Sequence, residues 1–368
     1  MVVDRTARLD GDVEQGKRGF FDLSRRRWLA SAGLVAISIV LIWRGVHRWD
    51  DWKFDLDREL ALAASVPPVF DLTTSLIPNG EILSGGPPKD GIPALTHPKA
   101  LPAGEAAYLN DDDRVIGVAF GVAARAYPLR ILNWHENIND TLGGQAIAVT
   151  YCPLCDSAVV FDRNVAGRVL EFGISGRLYN SNVLLYDRQP AGRKESLWSQ
   201  LQMRAVTGPA AEKGLTLSPL PAELTSWGAW RERFPETTVL SIETGHQREY
   251  GLNPYVRYFE SDTLMFPVRP KPNLDGGLRN KDRVIVVRAG SAERVYPVQA
   301  VMRAAGQQRW MEDTLGGHAI RLKPIAGAES VVVESVGNPQ ALPSSVYTFW
   351  FAWSAMHPGS SVFAPGAE

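Results

Sequence analysis

Two stretches of this chain occur twice. "RVIGVAFGVAARAYPLRIL" (Arg114 to Leu132) returns as "RVIVVRAGSAERVYPVQAV" (Arg283 to Val301), and "NDTLGGQAIAVT" (Asn139 to Thr150) returns as "EDTLGGHAIRLK" (Glu312 to Lys323). The offsets are 169 residues (Arg114 to Arg283) and 173 residues (Asn139 to Glu312), so both stretches recur in order. Any fold for the chain has to seat one unit in two places. Each unit reads as two strands ending in Tyr-Pro, a short helical or irregular piece, then Gly-Gly and another strand. Period-two alternation in "QAIAVTY" and "HAIRLK" marks strands, and Gly143-Gly144 and Gly316-Gly317 are hairpin signals. The expected class is α+β, mainly β. Two diverged β-rich repeats, about 114–163 and 283–334, are expected to fuse into one globular domain over 103–368, because one repeat is too small to cover its own sheet.

Between the copies, "SAVVFDR", "RVLEFGIS", "SNVLLYDRQ" and "SLWSQ" read as strands. "PAELTSWGAWRERFPET" predicts a helix from about Ala222 to Phe234, stopped before Pro235, and "VYTFWFAWSAMHP" predicts another ending at Pro358. The proline-rich stretch from Pro67 to Pro102 has little periodicity, so 45–102 reads as a linker and surface strap. There is no Rossmann glycine fingerprint, phosphate-binding Walker loop, His-Glu-x-x-His helix or Gly-x-Ser-x-Gly elbow. A net charge of -1 gives no reason to expect a nucleic-acid partner.

The first 27 residues are polar and end in Arg25-Arg26-Arg27; "WLASAGLVAISIVLIW" (Trp28 to Trp43) then runs sixteen residues without a charge. That length is short for a spanning helix, but tryptophan at both ends suits a membrane interface. We expect a cytoplasmic tail over 1–27 and a single transmembrane anchor over 28–44. The chain would then sit once across the cytoplasmic membrane, with its globular domain on the periplasmic or extracellular side. "SRRRWL" also resembles a twin-arginine export signal.

Both cysteines lie in "TYCPLCDSAVVFDR", as Cys152 and Cys155. This Cys-Pro-x-Cys spacing suits half a metal site, a redox dithiol or a small disulfide. The second copy lacks the cysteines and also lacks the His135-Glu136 pair of "NWHENIND". Polar, metal-capable groups in one copy only suggest that this copy does the chemistry. The expectation is a metal-dependent oxidoreductase in which Cys152, Cys155 and His135 bind copper or zinc. Glu136 would be a fourth ligand or the catalytic base. The alternatives are a metal-free thiol–disulfide protein and a non-catalytic binding module. The polar run Phe172 to Gln200 supplies a candidate cleft for a small-molecule or protein substrate, lined by Arg177, Tyr179, Asn180, Asp187, Arg188 and Gln200. Arg177 and Arg188 would suit an anionic group.

The ordered set "NWHENIND", "TYCPLCDSAVVFDR", "FGISGRLYNSNVLLYDR" and "SLWSQ" resembles a family of bacterial and archaeal proteins classed as domain of unknown function 3179. The resemblance runs from about Pro93 to the C-terminus. It implies a membrane-anchored or exported protein and brings no established activity. One departure is Asp156, where a small residue is expected after the second cysteine.

Overall fold

A computed structural model describes residues 70–272, 274, 277–337 and 343–365. The expected tail and anchor, 1–44, lie outside them. Among the described residues no helix is long and apolar enough to cross a membrane.

The class is α+β, mainly β. Where alternation was clearest, the strands form as expected. Arg114–Phe120 and Ala123–Pro128 make an antiparallel hairpin, and the helix Leu129–His135 begins directly after Pro128. Asn137–Leu142, Gln145–Cys152 and Ser157–Asp162 follow as a three-strand meander. The same succession appears again: the hairpin Arg283–Ala289 and Ala292–Pro297, the helix Val298–Ala305 after Pro297, then Met311–Leu315, His318–Ile325 and Ser330–Ser335.

One physical reason for the doubled motif is an aspartate clasp. Asp140, from the first Asp-Thr-Leu-Gly-Gly, accepts from Arg125 at 2.7 Å and from the Tyr127 hydroxyl at 2.9 Å. Asp313, from the second, accepts from Arg294 at 2.7 Å and from Tyr296 at 2.8 Å. In each case the tyrosine of Tyr-Pro ties the end of the hairpin to the start of the meander. A buried hydroxyl and an ion pair satisfy one carboxylate.

The two expected helices are shorter than the sequence suggested, and for the same reason. Glu223–Ser226 is a strand, antiparallel to Arg114–Gly117, and only Trp227–Arg233 is helical. Ser344–Phe349 is a strand, antiparallel to Arg283–Arg288, and only Trp350–Met356 is helical. Each hairpin therefore gains a third strand and a capping helix with tryptophans at matching places, Trp227 and Trp230 against Trp350 and Trp353. Gly117 leaves room for this: a Cβ there would lie 2.3 Å from the Trp230 ring.

The proline-rich stretch is also more than a linker. Leu83–Ser84, Leu95–Thr96 and Ala100–Pro102 each pair with a sheet edge. A seven-stranded sheet runs from Ala292–Pro297 through Arg283–Ala289, Ser344–Phe349, Ser157–Asp162, Gln145–Cys152 and Asn137–Leu142 to Leu95–Thr96. It thus joins the second hairpin to the first meander. Alternation along Gln145–Cys152 divides its side chains between two cores. Ile147, Val149 and Tyr151 face the core built on Tyr127, Ile285 and Tyr296, while Ala148 and Cys152 face one built on Phe172, Trp198 and Trp353.

Candidate functional site

Cys152 ends its strand, Pro153–Cys155 makes a single 3-10 turn, and Asp156 reverses the chain in a left-handed conformation, φ 45°. Proline at the first position of the turn fixes its φ and leaves the following amides free. Both cysteines are buried as free thiols. Cys155 Sγ lies 3.1 Å and Cys152 Sγ 3.9 Å from the Ser181 carbonyl oxygen.

The two sulfurs are oppositely polarised. Burial alone would raise Cys152, but the Cys155 thiol and the amides of Val183, Cys155 and Leu154 hydrogen-bond its sulfur and hold it below the ordinary thiol range. Burial pushes Cys155 well above that range, and its hydrogen bond to Cys152 and the Cys152 charge push it further. One short turn of amides, with one more amide from Val183, lowers the Cys152 thiol.

Asp156 is the keystone beneath this turn. Its carboxylate accepts from Arg114 at 2.9 Å, Arg283 at 2.7 Å and the Tyr151 hydroxyl at 2.7 Å. The two arginines begin the two copied stretches, so both hairpins meet at the residue after Cys155. Burial would raise Asp156, but Arg114 and Arg283 outweigh it and hold the carboxyl at about 2.

His135 and Glu136 part company. His135 is the last helical residue, and its ring is buried between the Pro93 carbonyl at Nδ1 and the Tyr250 hydroxyl at Nε2, each at 2.7 Å. A carbonyl can only accept, so Nδ1 carries the proton and Nε2 accepts from Tyr250. Burial lowers the imidazole to about 4, so it is neutral at physiological pH. Both ring nitrogens are taken, and the histidine does not join the cysteines as a ligand. Among the described residues no three His, Cys, Asp or Glu side chains gather where they could hold a metal ion. The donor set expected for copper or zinc is therefore not assembled among the described residues.

Glu136 caps the helix in a left-handed conformation, φ 54°, which carries it toward Cys152. Its carboxyl makes no hydrogen bond to the described residues. Burial pushes its pKa well above the carboxylate range, and the Cys152 charge pushes it further. The native chain therefore keeps a proton that the unfolded chain releases above its value of 4.5. That group's contribution falls as pH rises through and beyond the unfolded pKa. Glu136→Gln removes the loss, so the variant is expected to gain stability on the wild type between pH 4.5 and 7.5. Urea unfolding at the two pH values checks this, and parallel stability curves would refute a buried neutral carboxyl.

A cover lies over the thiols. The Tyr258 hydroxyl donates to the Leu154 carbonyl at 2.8 Å, and Phe259, Leu264 and Val268 pack on the core that contains both cysteines. Ser181 donates to the Phe266 carbonyl at 2.9 Å, and Asn180 bonds both backbone groups of Arg269 at 2.8 Å. Lys281 reaches the Ser261 carbonyl at 2.5 Å and tethers the far side. Segment 255–269 is thus latched across the Cys-Pro-x-Cys turn.

The six expected substrate contacts do not line one cleft. Gln200 is fully buried, bonded by Ser157 at 2.6 Å and Asn182 at 2.8 Å, and donates to Thr150 at 2.9 Å. Asn180 is the latch. Asp187 caps the backbone of Ser196 and accepts from Gln189. Arg188 pairs with Glu171 and Asp90, away from the thiols. Tyr179 packs with the cluster around Phe70, and the Arg177 amide bonds Ser175. The residues sequence reasoning missed are Arg114, Arg283 and Tyr258. For the arginines a signal existed, since each opens a copied stretch.

No curated protein and no solved structure matches the chain. The model of a family described as "Protein of unknown function (DUF3179)" matches residues 89–342, which takes in both hairpins, the thiol turn, its cover and both meanders, and the chain belongs to that family.

Proposed function

We propose that this chain is a membrane-anchored thiol–disulfide exchange protein. The observation that carries the reading is the asymmetric pair: a Cys152 sulfur receiving three amides and a thiol, a proton-holding Cys155, and the buried Glu136 carboxyl beside them. A low-pKa thiol attacks and a high-pKa partner resolves.

The Cys152 thiolate attacks one sulfur of a substrate disulfide, forming a mixed disulfide and expelling a thiolate that takes the Glu136 proton. The Glu136 carboxylate then removes the Cys155 proton. The Cys155 thiolate attacks Cys152 Sγ, closes the Cys152–Cys155 disulfide and releases the second substrate sulfur as a thiolate, which takes from Glu136 the proton that came from Cys155. Two electrons pass to the substrate, and the reverse sequence oxidises a dithiol. The substrate is a small-molecule or protein disulfide.

The duplicated order of strands and helices, the paired aspartate clasps and the matched tryptophans support descent of the two halves from one fused unit. The uncharged run Trp28 to Trp43 behind an arginine cluster supports anchoring, with the globular part outside the cytoplasm, where disulfide chemistry belongs.

The test is equilibration of the full chain in glutathione buffers of stepped potential, with thiols counted after acid quenching and alkylation. The expected result is one two-electron transition in which both thiols disappear together. Thiols that never oxidise, or one copper or zinc per chain that is lost in Cys152→Ser, would overturn the reading.

A further inference from the structure

The second half carries a cavity of its own. It measures about 550 Å³ and is walled by the helices Val298–Ala305 and Trp350–Met356 and by residues near the C-terminus. That is the size of a small-molecule pocket. Lys271, Arg279, Arg283 and Arg303 line it, and Asp282 is the one carboxylate among its described lining residues.

Pairing within the fold cancels part of this charge. Arg279 bonds Asp282 through Nε at 3.1 Å and Nη2 at 2.9 Å, so that carboxylate is already answered. Arg283 is held by Asp156 and Glu329, neither of which lines the cavity. His357 adds no charge, because burial lowers its imidazole and Nε2–H donates to the Leu201 carbonyl at 2.9 Å. Lys271 and Arg303 remain. Both are exposed, so neither is sealed inside the protein, and among the described residues neither has an ion-pair partner.

The same cavity has an apolar side. Leu278, Val362 and Phe363 line it, and Val362 is 37% exposed. Two unanswered cations in a concave site attract an anion. Apolar surface beside them favours an anion that brings a hydrophobic body.

We propose that this cavity binds a small organic phosphate monoester, its phosphate on Lys271 and Arg303 and its apolar body against Leu278 and Phe363. Near neutral pH such a group carries about two negative charges, one for each free cation, and its oxygens suit both an ammonium and a guanidinium. The site is independent of the thiols and stands whether or not they exchange. At the position of Arg303 the first half has Trp134, so this cation belongs to the copy that lacks the cysteines.

The test is calorimetric titration of the full chain with phenyl phosphate, with glycerol phosphate, which lacks the ring, and with benzyl alcohol, which lacks the charge. Phenyl phosphate is expected to bind, and each analogue to bind about fivefold more weakly or worse. Lys271→Gln and Arg303→Gln should each weaken phenyl phosphate about fivefold, the upper end for an exposed charge pair, and together about 25-fold. Arg231→Gln, on an exposed ion pair elsewhere, should leave binding unchanged. No binding of phenyl phosphate, or equal affinity for benzyl alcohol or for glycerol phosphate, overturns the proposal. So does undiminished binding in the folded double variant. If a variant fails to fold, the comparison of the three ligands on the wild type still decides.

Discussion

Asp156→Ala is expected to destabilise the folded chain by about 3 kcal/mol, the low end of the cost of breaking a buried ion pair. The Asp156 side chain is 1% exposed and serves three donors at once, Arg114, Arg283 and Tyr151. Removing it leaves Arg114 without its one charged partner, whereas Arg283 retains Glu329, which limits the damage. The backbone adds to the loss, because alanine at φ 45° is less comfortable than aspartate. Asp156→Gly separates the two effects: it restores backbone freedom and still strands the arginines. The order of stability by urea unfolding should be wild type, then Asp156→Asn, then the glycine and alanine variants. A loss below about 1 kcal/mol for alanine would mean that water takes over the arginines and the keystone is dispensable.

The same residue sets an acid limit. Its carboxyl is held at about 2 against an ordinary 3.8, so the folded state binds that proton less readily than the unfolded chain. Its stabilisation is complete above the unfolded value and is lost as pH falls through about 2. The wild type should therefore lose on the order of 2 kcal/mol more than Asp156→Asn on acidification from neutral pH to below that range. This runs opposite to Glu136, whose raised pKa costs stability as pH rises. Two carboxyls on the two sides of one thiol turn thus titrate in opposite senses, one kept charged by arginines and the other kept neutral by burial.

What was legible in the sequence was local. Alternation and Gly-Gly turns placed the hairpins, because those signals depend only on residues a few positions apart. The strands Glu223–Ser226 and Ser344–Phe349 were hidden inside expected helices, since four to six residues ahead of a genuine helix share its polar and aromatic mixture. The available clue was that Trp227-Gly-Ala-Trp230 and Trp350-Phe-Ala-Trp353 are versions of one motif. Charge chemistry at the site was harder to see. His135 and Glu136 are neighbours in the chain, yet a left-handed cap sends one to Tyr250 and the other toward Cys152. The polarity of Cys152 depends on Val183, thirty-one residues away across the neighbouring hairpin, and no local pattern encodes that amide. Gln200, read as part of a cleft, is internal and satisfies buried partners, a role with no sequence mark distinct from binding.

Asn180 was read from sequence as a substrate contact and in the structure latches the cover, which gives the second large effect. Burial makes the Cys152 thiolate inaccessible while segment 255–269 is in place, so modification of native protein should track the population of a transiently opened form. Asn180 contributes two hydrogen bonds to Arg269, each worth about 1 kcal/mol net. Losing both should raise the opened population, and the labelling rate, about 30-fold. Asn180→Gly is the right variant because Asn180 sits at φ 51°, which glycine adopts without strain. Iodoacetamide labelling of the reduced full chain reads this directly. Label should fall on Cys152 before Cys155, because the amide-held sulfur is the one whose pKa is lowered while its neighbour's is raised. Arg188→Gln, at the far end of the same strand pair, should label at the wild-type rate. Equal rates in wild type and Asn180→Gly would mean that substrates reach the sulfurs by another route than beneath this cover.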